Sequence, residues 1–229
     1  MQYRFETTSL VGFVQYLASN LLPHGYWFYV TGRVPEGKDP RAVDRKLIEK
    51  YAIGLSRQQR ARRKLAGQAN LHYVRLGRFW VLLATHGEHA FFLEEGNSVR
   101  DLRHTPLQVG GYSLTVRRGN FLKKQPGAEK ADADGKRRVR VQIARERYRE
   151  LNAYFLGIAC HRSVEALSRE LWNIPFEPYA PVRKQVLNLL RLINAKREAA
   201  GYAKLLTSAL RMKRRIVKPF GLSDLDQAA

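Results

Sequence analysis

The chain has 229 residues, 45% of them hydrophobic and 10% aromatic, which is enough to bury a core and too much for a disordered basic tail. Lysine and arginine outnumber aspartate and glutamate 41 to 20, a formal net charge of +21 that a compact protein tolerates best against a polyanion. The single cysteine, Cys160, excludes a disulfide framework and a cysteine zinc site, and no apolar run approaches the roughly 18–20 residues of a membrane span.

The first 22 residues read as a helix capped by Ser9, with Leu10, Phe13, Val14, Leu17 and Leu21 at helical spacing, ended by Pro23 and Gly25. They lack a basic n-region followed by a continuous apolar stretch, so no signal peptide is expected and residence is expected to be cytoplasmic, with no membrane partner. Residues 26–31, aromatic and β-branched, predict a buried central strand. Asp39-Pro40 predicts a helix start, with a stripe of Val43, Leu47, Ile48 and Tyr51 and a stop at Gly54. Ser56 opens a second, short helix. Strands follow at Leu71–Leu76 and Phe79–Ala84 around Gly77-Arg78, then at 90–93, and then at 107–109 and 112–116 around Gly110-Gly111. Residues 119–137, rich in glycine and charge, predict an exposed loop. Alternation resumes at 138–143, with arginines on one face and aliphatics on the other. Helices are expected at about 144–160, from Ser163 to near Trp172, and from Pro181 to Gly201. The expected class is α+β: an antiparallel, ferredoxin-like sheet with helices in a nucleic-acid-binding domain over residues 1–143, then a helical, helix-turn-helix-like basic region over 144–229.

The positive charge is clustered. From Arg57 to Arg78 the chain carries Arg57, Arg60, Arg62, Arg63, Lys64, Arg75 and Arg78 and no acid, and from Arg183 to Lys218 it carries eleven basic residues and one acid, Glu198. Nucleic acid is the expected partner, because each neutralised phosphate releases condensed counterions. Arg138 and Arg140 lie on one face of the basic strand. The break between the Ser163 and Pro181 helices resembles a long helix-turn-helix that would offer Arg183, Lys184, Gln185 and Asn188 to a groove. Arg211, Lys213, Arg214 and Arg215 form a phosphate-neutralising run. Tyr73, Phe79 and Trp80, interleaved with Arg75 and Arg78, could stack unpaired bases.

The densest polar group is Thr85-His86-Gly87-Glu88-His89. If Gly87 turns the chain, His86, Glu88 and His89 could hold a divalent metal, Mg²⁺ or Mn²⁺, suited to phosphodiester chemistry; as a plain turn they would be structural. His24, His72, His104 and His161 are scattered and read as ordinary surface or core histidines. Tyr148 and Tyr154, six apart on the helix after the basic strand, occupy different faces, and one of them could serve as a nucleophile; Tyr148, among Arg145, Arg147 and Arg149, is expected to be the more exposed.

A strand reading Phe-Tyr-Val-Thr-Gly-Arg, a long helix, a hairpin, histidines after a central strand and tyrosines on a later helix resemble the layout of the HUH single-strand endonucleases and transposases over about residues 24–160. The resemblance implies metal ligation by His86 with His89 or Glu88, and a covalent DNA link through Tyr148 or Tyr154. It departs from the family at the motif itself, where His-hydrophobe-His is replaced by His-Gly-Glu-His. No Walker loop, dinucleotide glycine fingerprint or hydrolase signature is present. The function expected is therefore binding of nucleic acid, either as a DNA-binding protein of a mobile element or replicon, with or without metal-dependent single-strand nicking, or as a non-catalytic RNA-binding subunit of a larger nucleoprotein assembly.

Overall fold

The computed structural model describes residues 3–119, 122–123 and 132–221. The class is α+β with mostly antiparallel strands and a helical C-terminal part. The chain divides into two compact units. The first comprises Met1–Pro106, Thr115–Val139 and Ile216–Ala229; the second comprises Leu107–Leu114 and Arg140–Arg215.

The first unit is built on a five-stranded sheet. A two-residue strand β1 (Glu6–Thr7) precedes helix α1 (Leu10–Tyr16), which Ser9 caps by accepting the Gly12 N–H. The helix continues as a wide turn over Leu17–Leu21 and a tight one over Leu22–His24, closed by Gly25. Strand β2 (Phe28–Arg33), helices α2 (Pro40–Lys50) and α3 (Arg57–Leu65) and strands β3 (Leu71–Leu76) and β4 (Phe79–Ala84) follow. A short helix α4 (Ala90–Glu94) and strand β5 (Arg100–Asp101) complete the unit's main elements. The order is β1-β3-β4-β2-β5, with β1 parallel to β3 and the other pairs antiparallel. Insertion of β4 between β2 and β3 makes the split β-α-β arrangement of ferredoxin-like sheets. Val30, Tyr51, Ile53, Leu71, Tyr73, Leu82, Ala84 and Phe91 form one core cluster.

Residues 90–93 are helical, not extended. The His89 imidazole caps α4 by accepting the Phe91 N–H on Nδ1 (3.1 Å). Phe91 is buried and Leu93 is exposed, whereas alternation along a strand would put both on the same face. A four-residue apolar run does not distinguish the two states.

A buried ion pair ties α2 to the sheet. Asp44, fully buried, accepts Tyr73 Oη (2.7 Å), Arg75 Nε (2.8 Å) and Arg75 Nη2 (2.9 Å). Arg75 also donates to the Gly77 carbonyl (2.6 Å) and meets Glu6 at 3.0 Å.

A second sheet has the order β10-β7-β6, from β6 (Leu107–Val109), β7 (Tyr112–Arg118) and β10 (Arg137–Ile143), and its strands β7 and β10 each contribute residues to both units. Gly110 and Gly111, at φ +53° and +80°, make the turn between β6 and β7, a conformation other residues rarely adopt. Within the expected loop of 119–137, strands β8 (Leu122–Lys123) and β9 (Asp132–Ala133) pair antiparallel; residues 120, 121 and 124–131 of that expectation lie outside the described residues. The arginine and aliphatic faces of β10 are as expected, with Arg138 and Arg140 exposed and Val141 and Ile143 buried.

In the second unit, α5 (Arg145–Ile158), α6 (Val164–Trp172) and α7 (Ala180–Ala199) pack through Leu151, Phe155, Leu167, Leu171, Val182, Val186, Leu189, Leu190 and Ile193, all buried. Arg197 is buried at the end of α7 and donates to the carbonyls of Ala159 (2.6 Å), Arg162 (3.1 Å) and Ala203 (2.6 Å).

Candidate nucleic-acid interface

Helix α3 starts with a full capping box. Ser56 Oγ accepts the Gln59 N–H (3.2 Å), and Gln59 Oε1 accepts the Ser56 N–H (2.8 Å). The Asn70 side chain donates to the Arg60 carbonyl (3.0 Å) and ties the helix to the start of β3. No α3 side chain is buried. The helix therefore contributes charge rather than core: Arg57, Arg60, Arg62, Arg63 and Lys64 lie on nine residues, and among the described residues no carboxylate pairs with any of them. Three of the five sit in the last turn, where the helix dipole favours cations. Arg63 is half-buried, and its Nη1 has no hydrogen-bond partner among the described residues.

Beside α3 lies a cleft of about 700 Å³. Arg57, Arg60 and Lys64 form one side. The last residue of α1 supplies Tyr16, the turns after it supply Asn20 and His24, and the entry to β2 supplies Tyr26 and Trp27. Asn70 and His72 come from the start of β3, and Thr85 and His86 from just beyond β4. His72 is only 4% exposed; its Nε2 lies 2.9 Å from Tyr16 Oη, and the Tyr26 ring stands edge-on to it at 5.9 Å. Burial, helped by the Arg60 charge, pushes the His72 imidazole down to about 3, so the ring is neutral. Burial pushes Tyr16 up to about 12 and raises Tyr26 too, so both phenols keep their protons. His72 Nδ1 and Asn70 Oδ1 have no hydrogen-bond partner among the described residues. Leaving such buried atoms unpaired costs about 1–3 kcal/mol each.

Sequence reasoning missed this cleft and placed His24 and His72 among the bystanders. Four separate segments build it, and the one local clue was a histidine inside the otherwise apolar run Leu71-His72-Tyr73-Val74.

Several other basic residues are engaged within the fold. Arg75 is 3% exposed on Asp44 and is structural. Arg78 donates Nε to Val34 O (3.0 Å) and Nη2 to the carbonyls of Pro35 and Lys38, which holds the loop after β2. Tyr73 is core, and Phe79 and Trp80 are half-buried against Phe13 (5.9 Å) and Tyr73 (6.2 Å), so the hairpin does not present the three rings together as a stacking face. Arg138 pairs with Asp134. Arg140, Arg183, Lys184 and Lys213 are exposed.

Gln185 is not available to a groove: its amide accepts the Ile143 N–H (2.8 Å) and donates to the Ile143 carbonyl (3.0 Å), as a neighbouring strand would. Asn188 Nδ2 donates to Tyr148 Oη (3.3 Å). Residues 173–179 separate α6 from α7, more than a tight helix-turn-helix has. In the C-terminal run, Arg211 and Arg215 meet the buried Glu177 carboxylate at 3.1 and 2.9 Å, and Arg214 lies over the Tyr179 ring. Burial opposes the charge on Glu177, but the Arg215 N–H and the two guanidiniums outweigh it and hold the carboxyl below its ordinary value.

The expected metal ligands are not brought together. Gly87, at φ +135°, lies so close to residues 67–69 that a Cβ there would sit 2.5 Å from Ala69 N. Glu88 exchanges backbone hydrogen bonds with that segment: its N–H reaches Gly67 O and its carbonyl accepts Ala69 N–H, both at 3.0 Å. His86 therefore lines the cleft beside α3, Glu88 and His89 line a different one, and His89 Nδ1 is occupied in capping α4. No group of three His, Cys, Asp or Glu able to hold a metal occurs among the described residues. The tyrosines belong to the second unit. Tyr148 is the less exposed of the two, and its hydroxyl donates to Gln185 O (2.9 Å). Tyr154 is 52% exposed and donates to Glu170 Oε2 (2.7 Å). That carboxylate raises the phenol above its ordinary value, the reverse of nucleophile activation.

The chain matches no protein-family model and no curated protein sequence. No helix among the described residues is long and apolar enough to cross a membrane.

Proposed function

We propose that this protein binds nucleic acid, with α3 as the element that engages the phosphate backbone. The observation that carries the reading is a helix with five cations, no buried side chain and no carboxylate partner among the described residues. A helix that buries no side chain fully and pairs none of its cations with a carboxylate among the described residues is suited to an external polyanion, because phosphates brought to it release their counterions. Metal-dependent nicking is not carried forward, since His86, Glu88 and His89 line separate clefts and both tyrosine hydroxyls are engaged.

The test is fluorescence anisotropy with labelled DNA and RNA oligonucleotides, on the wild type and on a variant with Arg57, Arg62 and Lys64 changed to Gln. All three side chains are exposed, so the variant should fold normally and bind weakly with a shallower salt dependence. The ratio of DNA to RNA affinity separates a mobile-element or replicon protein from a ribonucleoprotein subunit. Equal binding by wild type and variant removes α3 from the interface.

A further inference from the structure

The cleft beside α3 has the parts of a nucleotide site, and no role is otherwise assigned to it. Its volume, about 700 Å³, lies within the roughly 300–1,000 Å³ of pockets that hold small organic ligands. Cations stand on one side only. Six aromatic rings, Tyr16, His24, Tyr26, Trp27, His72 and His86, stand among the remaining lining residues, and none of the lining residues is acidic. An anion with a flat, uncharged ring fits that division better than a bare phosphate, which needs no aromatic wall, or an apolar ligand, which needs no cations. The floor supplies an independent pointer. Asn70 and His72 are each more than nine-tenths buried, and each has a polar atom without a hydrogen-bond partner among the described residues, Asn70 Oδ1 and His72 Nδ1. A neutral imidazole presents either a donor or an acceptor at Nδ1 according to its tautomer, and Asn70 Oδ1 is an acceptor, so the pair complements the mixed donor and acceptor edge of a base.

We propose that the cleft takes one unpaired nucleotide, with its base between the aromatic walls and its edge toward Asn70 and His72, and its phosphate on Arg57, Arg60 and Lys64. The proposal rests on the reading of α3 as a backbone-binding helix and specifies what that helix holds. A base inside a duplex has both faces covered and its edge paired, so the ligand is single-stranded DNA or RNA, or a base turned out of a duplex.

Photocrosslinking tests this directly. Full-length protein is irradiated with a single-stranded oligonucleotide carrying one central 5-iodouracil, in DNA and RNA versions, and the adduct is mapped after trypsin digestion. No Lys or Arg lies between Arg4 and Arg33, so Tyr16, His24, Tyr26 and Trp27 fall in one peptide, residues 5–33. His86 falls in a second, residues 79–100. Adducts are expected in these two peptides. In parallel, a His24→Ala/His86→Ala variant changes two exposed side chains and should fold as wild type. It is expected to lose about 5- to 150-fold in affinity for the single strand, the range for loss of one base–aromatic stack. Its weaker, electrostatic affinity for the matching duplex should not change. Adducts confined to peptides that carry no residue of the cleft, or an unchanged single-strand affinity in the double variant, would overturn the nucleotide site while leaving α3 as a binding helix. If no oligonucleotide binds the wild type at all, both readings fail.

Discussion

The salt dependence of binding can be calculated from α3. Five cations on this helix lack a carboxylate partner among the described residues. If each neutralises one phosphate of a single strand, the slope of log K against log salt is about −0.7 per contact, or about −3.5 in all. Between 50 and 200 mM salt the affinity should then fall about 130-fold for a single strand, and about 500-fold for a duplex at about −0.9 per contact. Changing Arg57, Arg62 and Lys64 to Gln leaves two contacts, so the single-strand slope becomes about −1.4 and the fall over the same range only about 7-fold. Glutamine matches arginine and lysine in helix propensity, and no core contact is lost, so urea denaturation should place the variant within about 0.5 kcal/mol of wild type. The assay is anisotropy at five or six salt concentrations with one labelled oligonucleotide. A slope near zero in the wild type, or the same slope in wild type and variant, would refute the argument.

Three further outcomes are expected. Asp44→Asn should cost about 3–5 kcal/mol in urea denaturation, because it removes the buried carboxylate from the buried Arg75 guanidinium and leaves it only the exposed Glu6, yet the salt slope of the folded protein should stay as in wild type. Stability should be lost as pH falls below about 6.5, by about 2 kcal/mol at pH 5, because His72 stays neutral in the fold down to about 3 while the unfolded chain takes up the proton. His89, also lowered by burial, contributes with the same sign; His72→Gln should flatten the stability–pH profile by the His72 share, and an unchanged profile would show that His72 is not the group responsible. Incubation with single-stranded DNA and Mg²⁺ or Mn²⁺ should give no covalent adduct on a denaturing gel; an adduct that Tyr148→Phe or Tyr154→Phe removes would reinstate nicking.

Local signals predicted local structure well. Ser9, Asp39, Ser56 and Ser163 cap the helices they were expected to cap, and β3 and β4 fall at the expected residues around Gly77-Arg78. The two-residue β1 was too short to show a period. Residues 90–93 misled because the deciding hydrogen bond comes from a side chain just outside the run, His89. For the candidate site, composition identified the α3 cluster but could not sort its cations from those with internal partners. Arg75 and Arg62 look alike in the sequence; what separates them is Asp44, 31 positions from Arg75, and a place inside a strand rather than on an unpacked helix. The cleft was hidden for the same reason, since His72 and Tyr16 meet across 56 positions.

The detachment of α3 from the core has a consequence for how such a protein can change over generations. Most helices answer to two demands at once, since a residue that alters what the surface binds also alters what the interior packs. Arg57–Leu65 answers to one, being held by its cap and by the Asn70 amide on a backbone carbonyl, neither of which depends on the charged side chains. Exchanging one of its exposed cations, Arg57, Arg62 or Lys64, for a neutral residue should shift the salt slope by about 0.7–0.9 and stability by no more than about 0.5 kcal/mol. The strength of binding is thus a variable that mutation can adjust in single steps, up or down, without first acquiring a stabilising change elsewhere.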